Sequence, residues 1–296
     1  MFIVLTRLVC SRVDLVLSAL DGADVVLLGS ALLLSRGAVR ARYPLFRPVF
    51  ATYEASVLVA YLGLHAMPLS YAVQKFGSPL QDGTLIAFDR ALGFDCVAFM
   101  TWAAGHAPAY ALLGKMYQHF PYIALAVFAC GLTFHRAQDV GPRFLVSFIM
   151  AVLLTALISA LFPAYGAVIL LDPTLAAGAV GATPAAHLDA LRSGLMREMP
   201  VQVGSLISFP SMHVGLGLLI LHSLRRSWLL PLFAPHALVF MLTALTHGGH
   251  YLADCLAALP LAATSIWLSR TLLARRRGAA KSPEVSGAAT LAGMPA

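Results

Sequence analysis

The sequence predicts an all-α protein, a multi-pass transmembrane helix bundle of about seven spans, and three observations predict it. Of its 296 residues, 59% are apolar and only 11% are charged, against about 45–50% and roughly 25% in soluble domains. The mean hydropathy is +0.82. The apolar residues gather in runs near the ~20 residues that a helix needs to cross a bilayer. A soluble core of this size could not hide so much apolar surface, so lipid must cover the excess. The same figures exclude a soluble globular enzyme and a disordered chain.

In chain order the candidate spans are 15–34, 49–72, 118–134, 144–162, 209–224, 228–246 and 251–268. The first carries Asp21 and Asp24, which lipid tolerates only if they turn toward other helices. Glu54 in the second calls for an inward-facing partner on the same ground. Before the first span, Arg7, Arg12 and Asp14 interrupt the pattern, and no charged-then-apolar order of a cleavable signal is evident. Between the second and third spans lie a mixed stretch, 82–95, and a semi-apolar run, 91–114, broken by Gly105, His106 and Pro108. That run reads as an interfacial or re-entrant helix rather than a full span. Residues 163–208 hold a Gly/Ala/Pro-rich stretch followed by a polar segment with Arg192 and Arg197. The tail after Ser282 is rich in small residues and is expected to be disordered. Cys10, Cys96, Cys130 and Cys255 lie far apart without metal-ligand spacing and read as small core residues.

The loops set the orientation. Thirteen of the 20 Lys and Arg residues fall in loops 35–48, 135–143, 225–227 and after 269. The positive-inside rule assigns those loops to the cytoplasm, with the N-terminus outside and the C-terminus inside. The formal charge of +7 is then largely a matter of topology. Nucleic acid is not an expected partner, since no aromatic-basic patch or reader motif occurs. The partner that composition and charge imply is the lipid bilayer.

Two short segments interrupt the apolar pattern at the outer ends of spans. One is Ser208-Phe209-Pro210-Ser211-Met212-His213. The other is His247-Gly248-Gly249-His250-Tyr251-Leu252-Ala253-Asp254. His213 and His250 are separated by two short passes and the Arg225-Arg226 turn, so both return to one membrane face. His250 and Asp254 are four residues apart and share a helix face. A carboxylate there can hold the proton of one imidazole nitrogen and leave the other free to attack an electrophile. In the first segment, Pro210 and Ser211 suit a helix start, and the free amides of Met212 and His213 at the positive dipole end suit an anion. Ser211 and those amides would hold phosphate oxygens, with His213 protonating the leaving group. This combination describes phosphoryl transfer through a phosphohistidine, which requires no cofactor and no metal. Zinc is the competing use of histidines, but no matching ligand motif appears. His222 and His236 read as packed core histidines. His247 is a neighbour of the site without an assigned role, and Tyr251 fits either an interfacial hydrogen bond or an aromatic belt.

At these residues the sequence resembles the type 2 phosphatidic-acid phosphatase superfamily, in its branch near the inositol phosphorylceramide synthases. Pro210-Ser211-Met212-His213 resembles the family's P-S-x-H motif, and His250-Tyr251-x-x-Asp254 its H-x-x-x-D motif in the form typical of that branch. Leu191-Arg192-Ser193-Gly194 and Leu161-Phe162-Pro163 also resemble the branch. The likeness spans roughly residues 85–270 and implies a six-helix core with an outward-facing site, to which the remaining span is added at the N-terminus. It implies that His250 is the nucleophile, Asp254 its orienter, His213 the general acid and Ser211 a phosphate ligand. The family's phosphate-binding arginine before the third motif is replaced, with Thr243 and Ala244 at those positions. The first motif, K-x6-R-P, is absent from the outer side. Its look-alike Arg40-x6-Arg47-Pro48 falls in a cytoplasmic loop and reads as a decoy. The phosphate still needs a cation in a partly dry site. Arg192 is the first candidate and Arg197 the next, with Arg90 and Lys115 behind them.

The expected organisation is 1–84 for the N-terminal spans and inner basic loop, 85–272 for the catalytic membrane domain and 273–296 for a basic cytoplasmic tail. The expected activity is that of a membrane phosphoesterase or phosphotransferase acting on a lipid phosphate. Its short loops fit a bacterial inner membrane, with the site facing the periplasm or the outside. Two alternatives stand beside it. One is a head-group transferase with an alcohol acceptor such as inositol. The other is a catalytically inactive transporter or scaffold that keeps the fold.

Overall fold

Apolar runs too long for one face of a soluble helix become, in the computed structural model, a bundle whose regular elements, among the described residues, are all helical. The structure describes residues 2–13, 42–43, 47–119, 140–172, 182–198 and 204–281. In chain order the helices are α1 (Phe2–Arg12), α2 (Arg47–Gln74), α3 (Asp82–Ala91), α4 (Cys96–Ala104), α5 (Ala107–His119), α6 (Val140–Leu161), α7 (Ala182–Arg192), α8 (Met212–Leu224), α9 (Leu230–Thr246) and α10 (Leu252–Lys281). A short 3-10 turn, Ala167–Leu170, follows α6.

Local chemistry sets the boundaries. Pro48 suits the first turn of α2, where a missing N–H costs nothing. Asp95 caps α4 by accepting the Ala98 N–H at 2.9 Å. Gly93 and Gly194 follow α3 and α7 with φ of 73° and 78°, a conformation that favours glycine at helix ends. Helices α4 and α5 meet at Gly105 and His106 with a bend of 109°. The break falls where the sequence places it in the semi-apolar run, and the pair forms either a broken span or a re-entrant loop.

Among the described residues, two helices are long and apolar enough to cross a bilayer, Arg143–Leu161 within α6 and Leu252–Arg275 within α10. The expected span 49–72 takes the form of the 28-residue helix α2. Helices α8 and α9 are apolar but have 13 and 17 residues. Residues 209–211 of the expected span 209–224 form instead the capped entry to α8. The expected span 15–34, most of 118–134, Arg40, Cys130 and the tail lie outside the described residues. Helix α1, which the interrupted N-terminal pattern does not announce, packs on α2 with Thr6 and Cys10 buried. Cys96 is buried as well, whereas Cys255 is half-buried.

The core lies between α2, α6, α8, α9 and α10, where Leu62, Phe144, Phe148, Leu219, Phe233, Phe240 and Ala262 form one buried cluster. Helix α6 packs along α10, α8 and α2, and α8 also packs on α9 and α10. Small and hydroxylated residues allow close approach, as membrane helix packing favours. The Ser147 hydroxyl donates to Ser269 Oγ at 2.8 Å between α6 and α10. A Cβ on Gly217 of α8 would lie 2.7 Å from Met241 Cγ of α9.

Candidate active site

Helices α8 and α10 begin side by side. The Ser211 N–H donates to the Asp254 carbonyl at 3.0 Å, which joins the start of one helix to the first turn of the other. Ser211 is fully buried and caps α8 by accepting the Val214 N–H at 3.4 Å. Its hydroxyl therefore has a capping role here, and the first-turn amides of Met212 and His213 stand at the same helix end. The structure thus brings His213 and His250 together, with ring centroids 5.8 Å apart and the rings edge to face.

Asp254 is fully buried. His250 Nδ1 lies 3.1 Å from its Oδ2. An ionised carboxylate only accepts, so Nδ1 carries the proton and Nε2 keeps the free lone pair. Two further donors reach the same oxygen, the Ser208 hydroxyl at 2.6 Å and the Tyr251 N–H at 3.0 Å. The other carboxylate oxygen, Oδ1, is buried with no hydrogen-bond partner among the described residues. Ser208 Oγ is also 3.5 Å from His250 Nδ1. Gly166, with φ 96°, leaves room for this contact: a Cβ there would lie 2.8 Å from Ser208 Oγ and 2.5 Å from the Gly249 carbonyl oxygen.

His213 is held in another way. Tyr117 of α5 stacks on it with centroids 4.6 Å apart, and Phe240 of α9 packs at 5.5 Å. Seven residues earlier on the same helix, Tyr110 stacks at 4.1 Å on His247. Between them, Gly114 makes space for His247, whose Nε2 would be 2.9 Å from a Cβ at that position. Helix α5 thus lays one face across both histidine-bearing segments.

Helix α3 supports the site with two carboxylates that the sequence reading leaves without a role. Asp82 accepts the Tyr165 and Gly166 N–H groups at 3.1 Å and the Tyr251 hydroxyl at 3.0 Å. Asp89 accepts the Leu252 and Ala253 N–H groups at 2.9 and 2.8 Å, satisfying the first turn of α10 from a separate helix. Burial pushes the Asp89 carboxyl above the usual range, the two amides pull it back, and the Asp254 charge raises it again. The acids are seven residues apart and so share one face, while Phe88 and Leu92 are exposed. That i, i+7 spacing is the one sequence signal for them.

The candidate cations divide. Arg192 Nη2 donates to the Ser78 carbonyl at 2.8 Å, and its Nη1 is buried without a hydrogen-bond partner among the described residues. Arg192 also acts electrostatically on Tyr165, the residue before Gly166. Burial first, then the hydrogen bond to Asp189, pushes the Tyr165 phenol up to about 12. Arg197, Arg90 and Lys115 are exposed. Thr243 and Ala244 are fully buried. Ala244 packs with Val214 and Ala258, and its carbonyl accepts the His250 N–H at 3.2 Å. The position of the family's arginine is therefore apolar core in this chain. At the other end of α8, His222 Nε2 takes a hydrogen bond from Arg270 Nη2 at 3.0 Å. His236 is exposed rather than packed in the core, with Nδ1 3.0 Å from the Leu232 carbonyl. Among the described residues, no group of three or more His, Cys, Asp or Glu side chains could hold a metal ion.

The bundle is helical and membrane-compatible, and within it a carboxylate-oriented histidine faces a second histidine. The family profile described as the PAP2 superfamily matches residues 83–268, and the chain belongs to that superfamily. No curated protein and no solved structure matches.

Proposed function

We propose that the protein is a membrane lipid phosphoesterase or phosphotransferase that works through a phosphohistidine on His250. The observation that carries this reading is the Asp254–His250 hydrogen bond with His213 5.8 Å across the site. His250 Nε2 attacks phosphorus and the P–O bond to the leaving group breaks. His213 gives its proton to the departing oxygen. Water or an alcohol then attacks the phosphohistidine, the N–P bond breaks, and His213 takes the proton of the incoming hydroxyl. The amides of Met212 and His213, with the Ser211 hydroxyl, hold phosphate oxygens. The unpartnered Nη1 of Arg192 supports it as the counter-charge, and the exposure of Arg197 makes it the weaker choice. The distribution of cations supports an extracytoplasmic site, and the short loops fit a bacterial inner membrane. The branch-like His250-Tyr251-x-x-Asp254 form supports a second reading within the same chemistry, transfer of a head group to an alcohol such as inositol.

The test is a panel on detergent-solubilised protein: phosphatidic acid, a prenyl phosphate and a generic phosphomonoester, with His250→Ala as control. Turnover by the wild type, none by the variant, and acid-labile label on His250 are expected. An active His250→Ala protein overturns the proposal. Absence of turnover across the panel favours a scaffold that has lost chemistry. Phosphate release compared with head-group exchange, with and without inositol or diacylglycerol, separates hydrolase from transferase.

A further inference from the structure

The active-site hydrogen bonds converge on one oxygen and leave its twin bare. Oδ2 of Asp254 accepts from Ser208, Tyr251 and His250, while the buried Oδ1 accepts from none among the described residues. Tyr251 N–H and His250 belong to the turn that enters α10, only three and four residues from Asp254. Ser208 is the sole donor of the three that comes from outside that turn, 46 residues away in sequence. It is also the shortest of the three contacts, at 2.6 Å.

We infer that Ser208 is a positioning residue for the phosphoryl-transfer step, locking the Asp254 carboxylate in the rotation that holds the proton on His250 Nδ1. The inference rests on the phosphohistidine reading. A carboxylate held through one oxygen can rotate partway about its Cβ–Cγ bond and swing that oxygen off the line to His250 Nδ1. The Ser208 hydroxyl, fixed from a different segment, opposes that turn. It stands within 3.5 Å of His250 Nδ1 as well, so carboxylate, hydroxyl and imidazole form a closed triangle. Ser208 lies five residues before His213 on the same segment. The bond therefore also fixes where the helix start that bears His213 stands relative to His250, alongside the Ser211 N–H to Asp254 carbonyl contact. A charge-assisted bond of this length is among the stronger kinds. Gly166 leaves the hydroxyl its space on the opposite side.

The experiment compares Ser208→Ala, Ser208→Thr, Asp254→Asn and the Ser208→Ala/Asp254→Asn double variant in detergent, each first shown to melt as the wild type does. Single-turnover phosphorylation of His250 by labelled substrate gives the chemical step and steady-state assays give KM. Ser208→Ala is expected to slow phosphorylation about 10- to 100-fold, as loss of a supporting hydrogen bond does elsewhere, with KM within about twofold of wild type. Ser208→Thr keeps the hydroxyl and is expected to restore most of the rate. In the Asp254→Asn background, Ser208→Ala is expected to cost less than about threefold, because the group it positions is already lost. Equal losses in both backgrounds, a Thr variant as slow as Ala, or a raised KM at unchanged rate overturns the inference and leaves the phosphohistidine reading standing. A wild type that never carries phosphate on His250 overturns both.

Discussion

His250 and His213 face each other across 5.8 Å, yet different forces hold them. The ring of His250 stands in a hydrogen-bonded frame. Asp254 accepts its Nδ1 proton, Ser208 and Tyr251 brace Asp254, and Asp82 and Asp89 brace the turn behind it. The ring of His213 is wedged between Tyr117, Phe240 and His250, and among the described residues no hydrogen bond fixes either of its nitrogens. Under the proposed mechanism the difference matches two chemical tasks. A nucleophile must present one defined lone pair, so its tautomer is set by a carboxylate. A group that gives and retakes a proton must keep a nitrogen open, so its plane is set by rings and its edge is left free.

That contrast breaks most sharply at Asp254. Asp254→Asn keeps the shape but exchanges an acceptor for an amide that can pair with either tautomer. Loss of an orienting carboxylate lowers kcat by about 10⁴ in the serine-protease triad, and a loss on that scale is expected here. Binding of unreacted substrate should be little changed, since Asp254 is fully buried. The check is kcat and KM measured together. A variant within tenfold of wild type would show that the hydrogen-bonded frame does not set the tautomer.

The uneven legibility of the two halves has a physical basis. The helical membrane class is written in composition and in apolar runs, because lipid selects for both over every ~20 residues. The His250–Asp254 pair was legible because four residues on one helix are always neighbours, and His213 because two apolar runs joined by the Arg225-Arg226 turn carry the chain out and back between it and His250. What stayed hidden depends on contacts distant in sequence. Tyr251 reaches Asp82 across 169 residues, and Ser208 reaches Asp254 across 46. Helix α3 was obscured further because its carboxylates point inward and Phe88 outward, the reverse of the pattern that marks a surface helix. Tyr110 and Tyr117 had no signal beyond a spacing of seven, the first inside the run 91–114 that Gly105 and Pro108 already marked as irregular and the second just past it.

Tyr117 sharpens the other half of the comparison. If ring packing alone holds His213, Tyr117→Phe should keep near-normal turnover and Tyr117→Ala should lose it in part. An aromatic pair is worth about 0.5–1.5 kcal/mol, which corresponds to roughly 2- to 13-fold in rate if all of it is felt in the transition state. The leaving-group dependence gives the discriminating measurement. Substrates with poor leaving groups need the acid most, so Tyr117→Ala should slow them more than it slows an activated aryl phosphate. A Phe variant as impaired as Ala would assign the work to the phenol hydroxyl instead of the ring.

The smallest expected effect concerns Asp89, which belongs to the frame but touches neither histidine. Its carboxyl is raised above the ordinary value, chiefly by burial, even though two amides of α10 favour the charged form. A carboxyl whose folded pKa exceeds its unfolded one favours folding while it is protonated in both states. That contribution is present below the unfolded value, near pH 4, and is lost as pH rises through the folded value. Asp89→Asn removes the titration but not the bulk. The melting temperature of the wild type minus that of Asp89→Asn, followed in detergent from about pH 4 to about pH 7, should therefore shrink as pH rises. A difference that widens over that range would mean that the Leu252 and Ala253 amides outweigh burial. Asp89 would then act as a charged cap that the start of α10 requires, and the frame around His250 would be stabilised by ionisation rather than strained by it.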